Sequence, residues 1–90
     1  MDNQIVYMTD PSNSYLRVPV QLVENLGFMN KISEYSFFNN QYVWLVYDRD
    51  AQLFFNALDD RGFQEPTIYS ETLDELAPFR LYPRFSAKVA

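Results

Sequence analysis

The clearest hydrophobic pattern in the chain predicts a helix that begins close to position 50. Apolar residues recur there at i, i+3, i+4 and i+7, which is the spacing of one helix face, at Ala51, Phe54, Phe55 and Leu58. Asp48 stands where a helix N-cap is needed, and Asp50 complements the positive helix N-terminus. Gly62 can adopt the left-handed conformation that ends a helix, so the predicted helix stops before it.

A second and shorter helix is predicted between Pro19 and Gly27. Pro19 suits a first helical position because its φ is already helical. The apolar positions that follow have helical spacing and are Val20, Leu22, Val23 and Leu26. Gly27 ends this helix as Gly62 ends the other. A helix of this length persists only when it packs against other elements.

Segments rich in β-branched and aromatic residues predict strands at residues 5–8, 15–18, 32–38, 42–47, 66–70 and 79–82. Segment 42–47 is apolar throughout, which is typical of a strand that is buried on both faces. Residues 10–13 predict a turn, and residues 39–40 predict a hairpin turn because Asn tolerates positive φ. A capping-box pattern at 72–75 predicts one helical turn.

The order of these elements, β-β-α-β-β-α-β-β, predicts the α+β class. We expect a two-layer sandwich in which two helices lie on one face of a mostly antiparallel sheet of about four to six strands. The length of the chain predicts one domain over residues 1–85, followed by a frayed tail at 86–90.

The composition limits the chemistry that the chain can perform. It contains no Cys and no His among its 90 residues. Nucleophilic catalysis by a Ser-His-acid or Cys-His arrangement is therefore excluded, and so are thiolate and imidazole metal ligands. No phosphate-binding or dinucleotide-binding motif is present. We predict a non-enzymatic protein with no metal site, no cofactor and no catalytic residue, and the lack of a signal-peptide or membrane-spanning pattern predicts a cytoplasmic location.

The charge is unevenly distributed and predicts a basic partner. The net charge is −5, and residues 48–75 hold eight acids against two arginines. Such a surface repels nucleic acid and anionic membranes and attracts basic protein surfaces. We therefore predict a protein-interaction module, an acidic inhibitor or nucleic-acid mimic of the kind that phages and mobile elements encode. The predicted binding residues combine carboxylates with rings and are Asp59, Asp60, Glu65, Glu71, Asp74, Glu75, Phe38 and Tyr42.

Three other interpretations stay open at this stage. Eight Phe, seven Tyr and one Trp are more than a small domain can bury, so an accessory subunit that self-associates through exposed aromatics, as a homodimer for example, is one alternative. Asp48 and Asp50 could bind a metal or a small ligand, although helix capping also explains them. Segment 80–85 combines arginines with rings, as single-strand nucleic-acid binders do, but the acidic composition opposes that function.

Overall fold

The computed structural model describes residues 4–63 and 66–75. Five strands form one sheet in the spatial order β3-β4-β2-β1-β5, and all neighbouring pairs are antiparallel except β1 and β5. The strands are β1 (Ile5–Thr9), β2 (Ser14–Pro19), β3 (Phe37–Phe38), β4 (Tyr42–Val46) and β5 (Ile68–Thr72). With two helices added, this arrangement confirms the predicted α+β class and the mostly antiparallel sheet.

Both helices pack on the same face of the sheet. Helix α1 (Val20–Leu26) and helix α2 (Ala51–Asp60) are joined in sequence by a short 3-10 turn, Met29–Lys31, and by strands β3 and β4. The main core is formed between the helices and the sheet by fully or almost fully buried residues, among them Leu16, Val18, Val23, Leu26, Val43, Leu45, Phe54 and Leu58. The apolar stripe that predicted α2 is therefore the face that packs in the core.

A second apolar cluster lies on the opposite face of the sheet. Its buried members are Tyr15, Phe37, Trp44 and Val46. Successive residues of a strand point to opposite faces, so β4 contributes Val43 and Leu45 to the main core and Trp44 and Val46 to this cluster. The prediction that segment 42–47 is a strand buried on both faces is confirmed for Tyr42–Val46.

The two turns that the sequence predicted are held by side-chain acceptors. Asp10 Oδ1 accepts hydrogen bonds from the backbone N–H groups of Ser12 (2.9 Å) and Asn13 (2.8 Å). Asn39 Oδ1 accepts from the N–H groups of Gln41 and Tyr42, each at 2.8 Å. The expectation of positive φ at residues 39–40 is wrong, because within residues 4–63 and 66–75 only the two glycines have positive φ. Asn39 acts as a hydrogen-bond acceptor instead.

Several predicted boundaries are wrong, each because a long-range contact decides them. Of segment 32–38 only Phe37–Phe38 is a strand. Helix α2 begins at Ala51 with Asp50, not Asp48, in the N-cap position. Strand β5 continues to Thr72 because it pairs with β1 along its whole length, so the helical turn predicted at 72–75 does not start there. The predicted strand 79–82 and tail 86–90 lie outside the described residues.

No helix in the described ranges combines the length and the apolar character needed to cross a membrane.

The two glycines that follow the helices carry a testable prediction. Gly27 has a φ of 79° and Gly62 a φ of 69°, and both conformations are costly for a residue with a Cβ atom. A Cβ on Gly27 would lie 3.7 Å from Arg61 Nη2, an ordinary contact, and a Cβ on Gly62 would meet nothing within 4 Å. We therefore expect Gly27→Ala and Gly62→Ala to lower the free energy of unfolding by the same amount, about 1–2 kcal/mol.

Urea unfolding of the two variants beside the wild type is the measurement. A much larger loss for Gly27→Ala would contradict this account, because it would show that packing beside Arg61, rather than backbone strain, decides the cost.

Candidate functional site

Most of the described acids lie on the exterior of the protein. Asp10 and Asp50 are buried, whereas the other described acids are exposed and are Glu24, Glu34, Asp48, Asp59, Asp60, Glu71, Asp74 and Glu75. Apart from that of Glu34, none of these exposed carboxylates makes a hydrogen bond or an ion pair within the part of the chain that the structure describes. Glu65, which belongs to the predicted binding set, lies outside the described residues.

The predicted acidic set divides between two elements. Asp59 and Asp60 are the last two residues of α2, where acids oppose the negative end of the helix dipole. Glu71 lies on β5, and Asp74 and Glu75 follow that strand directly. Because β5 runs parallel to β1 and Thr72 pairs with Thr9, Asp74 and Glu75 lie beyond the Thr9 end of the sheet.

The structure does not bring the two predicted rings together. Phe38 is half-buried and packs against the main core on the helix face. Tyr42 is also half-buried but packs against the cluster on the opposite face, with the Arg17 guanidinium 4.3 Å from its ring centre. The register explains this separation, because Phe38 pairs with Val43, the neighbour of Tyr42, and neighbours in a strand point to opposite faces.

The exposed aromatic residues are different ones. Among the described residues the exposed rings are Tyr35 (50%), Tyr47 (43%), Phe63 (54%) and Tyr69 (49%). Tyr69 and Glu71 are two positions apart on β5 and therefore lie on the same face of the sheet. Residues alternate between the two faces of a strand, so continuing the predicted strand 66–70 by one residue places Tyr69 and Glu71 on the same face. That pattern could have identified Tyr69 as a ring next to an acid.

The buried carboxylate of Asp50 joins two segments of the chain. Its Oδ2 accepts hydrogen bonds from the Ser33 N–H (3.1 Å), the Ser33 hydroxyl (2.6 Å) and the Ser36 hydroxyl (2.5 Å). Ser36 Oγ in turn accepts from the Val46 N–H at 3.0 Å. Asp50 is 1% exposed, while Asp48 is exposed, so the two acids of the metal hypothesis lie in different environments. Within the described ranges no three acidic side chains are grouped so that they could hold a metal ion.

A cleft of about 440 Å³ lies next to this junction, and we call it the Tyr35 cleft. It is lined by Asn13, Tyr15, Tyr35, Phe37, Val46, Asp48 and Arg49. Three of these residues, Tyr15, Phe37 and Val46, are buried members of the apolar cluster and form its floor. The other four are exposed and form its rim. The Arg49 guanidinium lies 4.9 Å from the centre of the Tyr35 ring, a cation–π contact.

A cluster of hydroxyl groups surrounds Tyr7 on the helix face of the sheet. The Tyr7 hydroxyl donates to Ser14 Oγ at 3.1 Å, and Thr9 Oγ1 lies 3.3 Å from Ser14 Oγ. Side-chain hydrogen bonding with Ser14 and then with Thr9, whose hydroxyls can donate to the ionised oxygen, lowers the pKa of Tyr7 from its usual value of 10.0, and desolvation by burial opposes this effect. The ring of Tyr47 packs edge-on against that of Tyr7 with centres 4.8 Å apart.

Comparison with models of protein families, with curated proteins and with solved structures found no match for this chain.

Proposed function

We propose that this protein is a non-enzymatic interaction module that binds a basic surface on a partner protein, as a small acidic inhibitor or nucleic-acid mimic does. The observation that supports this proposal is the surface formed by Tyr69, Glu71, Asp74 and Glu75, which we call the acidic β5 surface. All four residues are exposed, and the three carboxylates make no hydrogen bond or ion pair within the described chain. Exposed carboxylates and an exposed ring supply electrostatic attraction and an apolar anchor, respectively.

The spacing of the charges indicates what kind of basic surface fits. Residues 71–75 are four steps apart and span at most about 14 Å at the rise of an extended chain. One strand of duplex DNA carries about four phosphates over that distance, and this surface carries three carboxylates. The charge is therefore less dense than that of DNA. A compact basic patch that also accepts the Tyr69 ring suits this surface better than a long groove for a duplex.

Electrostatics also favours a different partner over a second copy of this chain. Two molecules with a net charge of −5 that met through their acidic β5 surfaces would bring six exposed carboxylates together. Like charges placed opposite each other in an interface cost free energy. Self-association through this surface is therefore opposed, whereas a surface rich in Lys and Arg is attracted over a Debye length of about 8 Å at physiological salt.

The test compares two triple variants that change the net charge equally. Glu71→Gln, Asp74→Asn and Glu75→Gln remove three charges from the acidic β5 surface. Glu24→Gln, Asp59→Asn and Asp60→Asn remove three exposed charges from the helices, so both proteins go from −5 to −2. The wild-type protein is used to capture a partner from an extract of its native host. The partner is then identified by mass spectrometry and purified, and its affinity for each variant is measured at low and high salt.

We expect the β5 variant to bind at least about tenfold more weakly, since three interface charges contribute roughly 0.5 kcal/mol each. The helix variant retains most of the affinity, and salt weakens wild-type binding more than β5-variant binding. Equal losses in the two variants would mean that only net charge matters, and unchanged binding of the β5 variant would show that the proposed surface is wrong. Thermal unfolding of both variants checks that they remain folded.

A further inference from the structure

We infer that the Tyr35 cleft is a binding site for a free α-amino acid, held as a zwitterion with its side chain against the rings of the cleft. The volume of about 440 Å³ lies in the range of small-molecule sites, roughly 300–1,000 Å³. The accessible lining of the cleft is mostly polar, and three buried apolar residues lie beneath it. This inference does not depend on the proposed partner surface.

The rim carries one negative and one positive group side by side. Asp48 and Arg49 are consecutive, exposed, and both line the cleft. The Asp48 carboxylate has no hydrogen bond or ion pair inside residues 4–63 and 66–75, so its oxygens can accept from an ammonium group. The Arg49 guanidinium carbon lies 4.9 Å from the centre of the Tyr35 ring, and a cation–π contact does not require the N–H donors, which can bind a carboxylate.

These opposite charges select against simple ions. A ligand with only a positive charge is attracted by Asp48 but repelled by Arg49. A ligand with only a negative charge is attracted by Arg49 but repelled by Asp48. A molecule that carries an ammonium and a carboxylate on one carbon satisfies both residues at once. Asn13, on the same rim, adds an amide that can donate or accept.

The cleft also provides apolar contact for a side chain. Tyr35 is half-exposed, so its ring is the largest accessible apolar surface on the rim. Beneath it, the rings of Tyr15 and Phe37 lie with their centres 5.9 Å apart and tilted by 57°. An aromatic or branched side chain placed between Tyr35 and this floor is removed from water, which favours amino acids with large apolar side chains.

The buried Asp50 network holds the two sides of the cleft in place. The Asp50 side chain binds Ser33 and Ser36, which flank Tyr35 in the sequence. Its backbone N–H donates to Val46 O at 2.9 Å, which fixes the turn that carries Asp48 and Arg49. The backbone segments that carry Tyr35, Asp48 and Arg49 are therefore joined by one hydrogen-bonded junction, and a preformed backbone loses less free energy to ordering when a ligand binds.

The experiment titrates the purified protein with L-phenylalanine and follows the backbone amide NMR signals of residues 35, 48 and 49. Two analogues serve as comparisons: phenylalaninamide, which lacks the carboxylate, and 3-phenylpropionate, which lacks the ammonium group. We expect saturable shifts with phenylalanine, and an affinity lower by about two- to fivefold for each analogue, because each loses one contact to an exposed charge that solvent screens.

Two variants test which residue binds each charged group of the ligand. Two further variants, on α2 and at its C-terminus, are controls for the change in net charge. Asp48→Asn should abolish the preference for phenylalanine over 3-phenylpropionate, and Arg49→Gln should abolish the preference over phenylalaninamide. Asp59→Asn and Arg61→Gln make the same chemical changes at exposed positions outside the cleft and should change nothing. Absence of saturable shifts at residues 35, 48 and 49, equal binding of all three compounds, or equal effects of the control variants would each overturn the inference.

Discussion

Replacing Asp50 with alanine lowers the free energy of unfolding by about 3–5 kcal/mol, the first of the two largest effects that we expect. The carboxylate is 1% exposed and accepts three hydrogen bonds through one oxygen. Its removal leaves the buried Ser36 hydroxyl, and the N–H and hydroxyl of the half-buried Ser33, without this acceptor. Each buried donor that loses its partner costs about 1–3 kcal/mol.

This loss is a large fraction of the total stability. A domain of 90 residues has a free energy of unfolding of roughly 5–13 kcal/mol. We therefore expect Asp50→Ala to unfold at a clearly lower urea concentration than the wild type. The measurement is urea unfolding at room temperature, followed by the fluorescence of Trp44, which is the single Trp of the chain and is buried.

Asp48→Ala is the matched control, because it makes the same substitution two residues earlier at an exposed position. Its carboxylate has no bond to lose within the described part of the chain, so we expect a change within about 0.5 kcal/mol. If the two variants were equally stable, Asp50 would not be the group that holds residues 33–36 against the start of α2.

Replacing Phe54 with alanine is the second large effect, and we expect a loss of about 3–5 kcal/mol. Phe54 is fully buried in the main core, and its ring lies 6.4 Å from that of Phe28 and 5.6 Å from that of Phe55. Alanine removes the apolar area that Phe54 buries and leaves a cavity between α2 and the sheet. Close packing of the neighbouring residues prevents that cavity from collapsing completely.

Phe63→Ala provides the comparison, since it deletes the same ring at a position that is 54% exposed. We expect it to change the stability by no more than about 0.5 kcal/mol. Urea unfolding of both variants separates burial from residue type. A loss at Phe63 as large as that at Phe54 would show that its ring is buried in solution, which would contradict the described surface.

Local patterns were sufficient where an element depends on its own neighbours. The spacing of Ala51, Phe54 and Leu58 predicted the buried face of α2, and Gly27 and Gly62 marked where the helices end. These signals are carried by residues within one or two turns of each other. The sequence alone was therefore enough to predict both helices and the α+β class.

Local sequence patterns could not predict contacts between residues that are far apart in the chain. The sequence suggested Asp50 as a helix-terminal charge, but its partners Ser33 and Ser36 precede it by 17 and 14 residues. The same contact leaves residues 33–36 in a turn rather than in the predicted strand. Parallel pairing with β1 decided where β5 ends, and no periodicity within β5 encodes that register.

In the candidate sites, too, the sequence predicted some features and long-range pairing decided others. Charge composition alone identified Glu71, Asp74 and Glu75 as exposed acids, because an unpaired carboxylate is rarely buried. Which rings accompany them depended on how distant strands pair. The register of β3 with β4 places Phe38 and Tyr42 on opposite faces, and Tyr69 is exposed on β5, which pairs with β1.

By itself, the sequence determined the helices, the doubly buried strand Tyr42–Val46 and the acidic exterior, because periodicity and solvation of charge act locally. Only the tertiary structure decided the use of Asp50, the face of each ring and the existence of the Tyr35 cleft. These features depend on which distant strands pair and in what register. A shift of one residue in that register would turn every side chain of a strand to the other face.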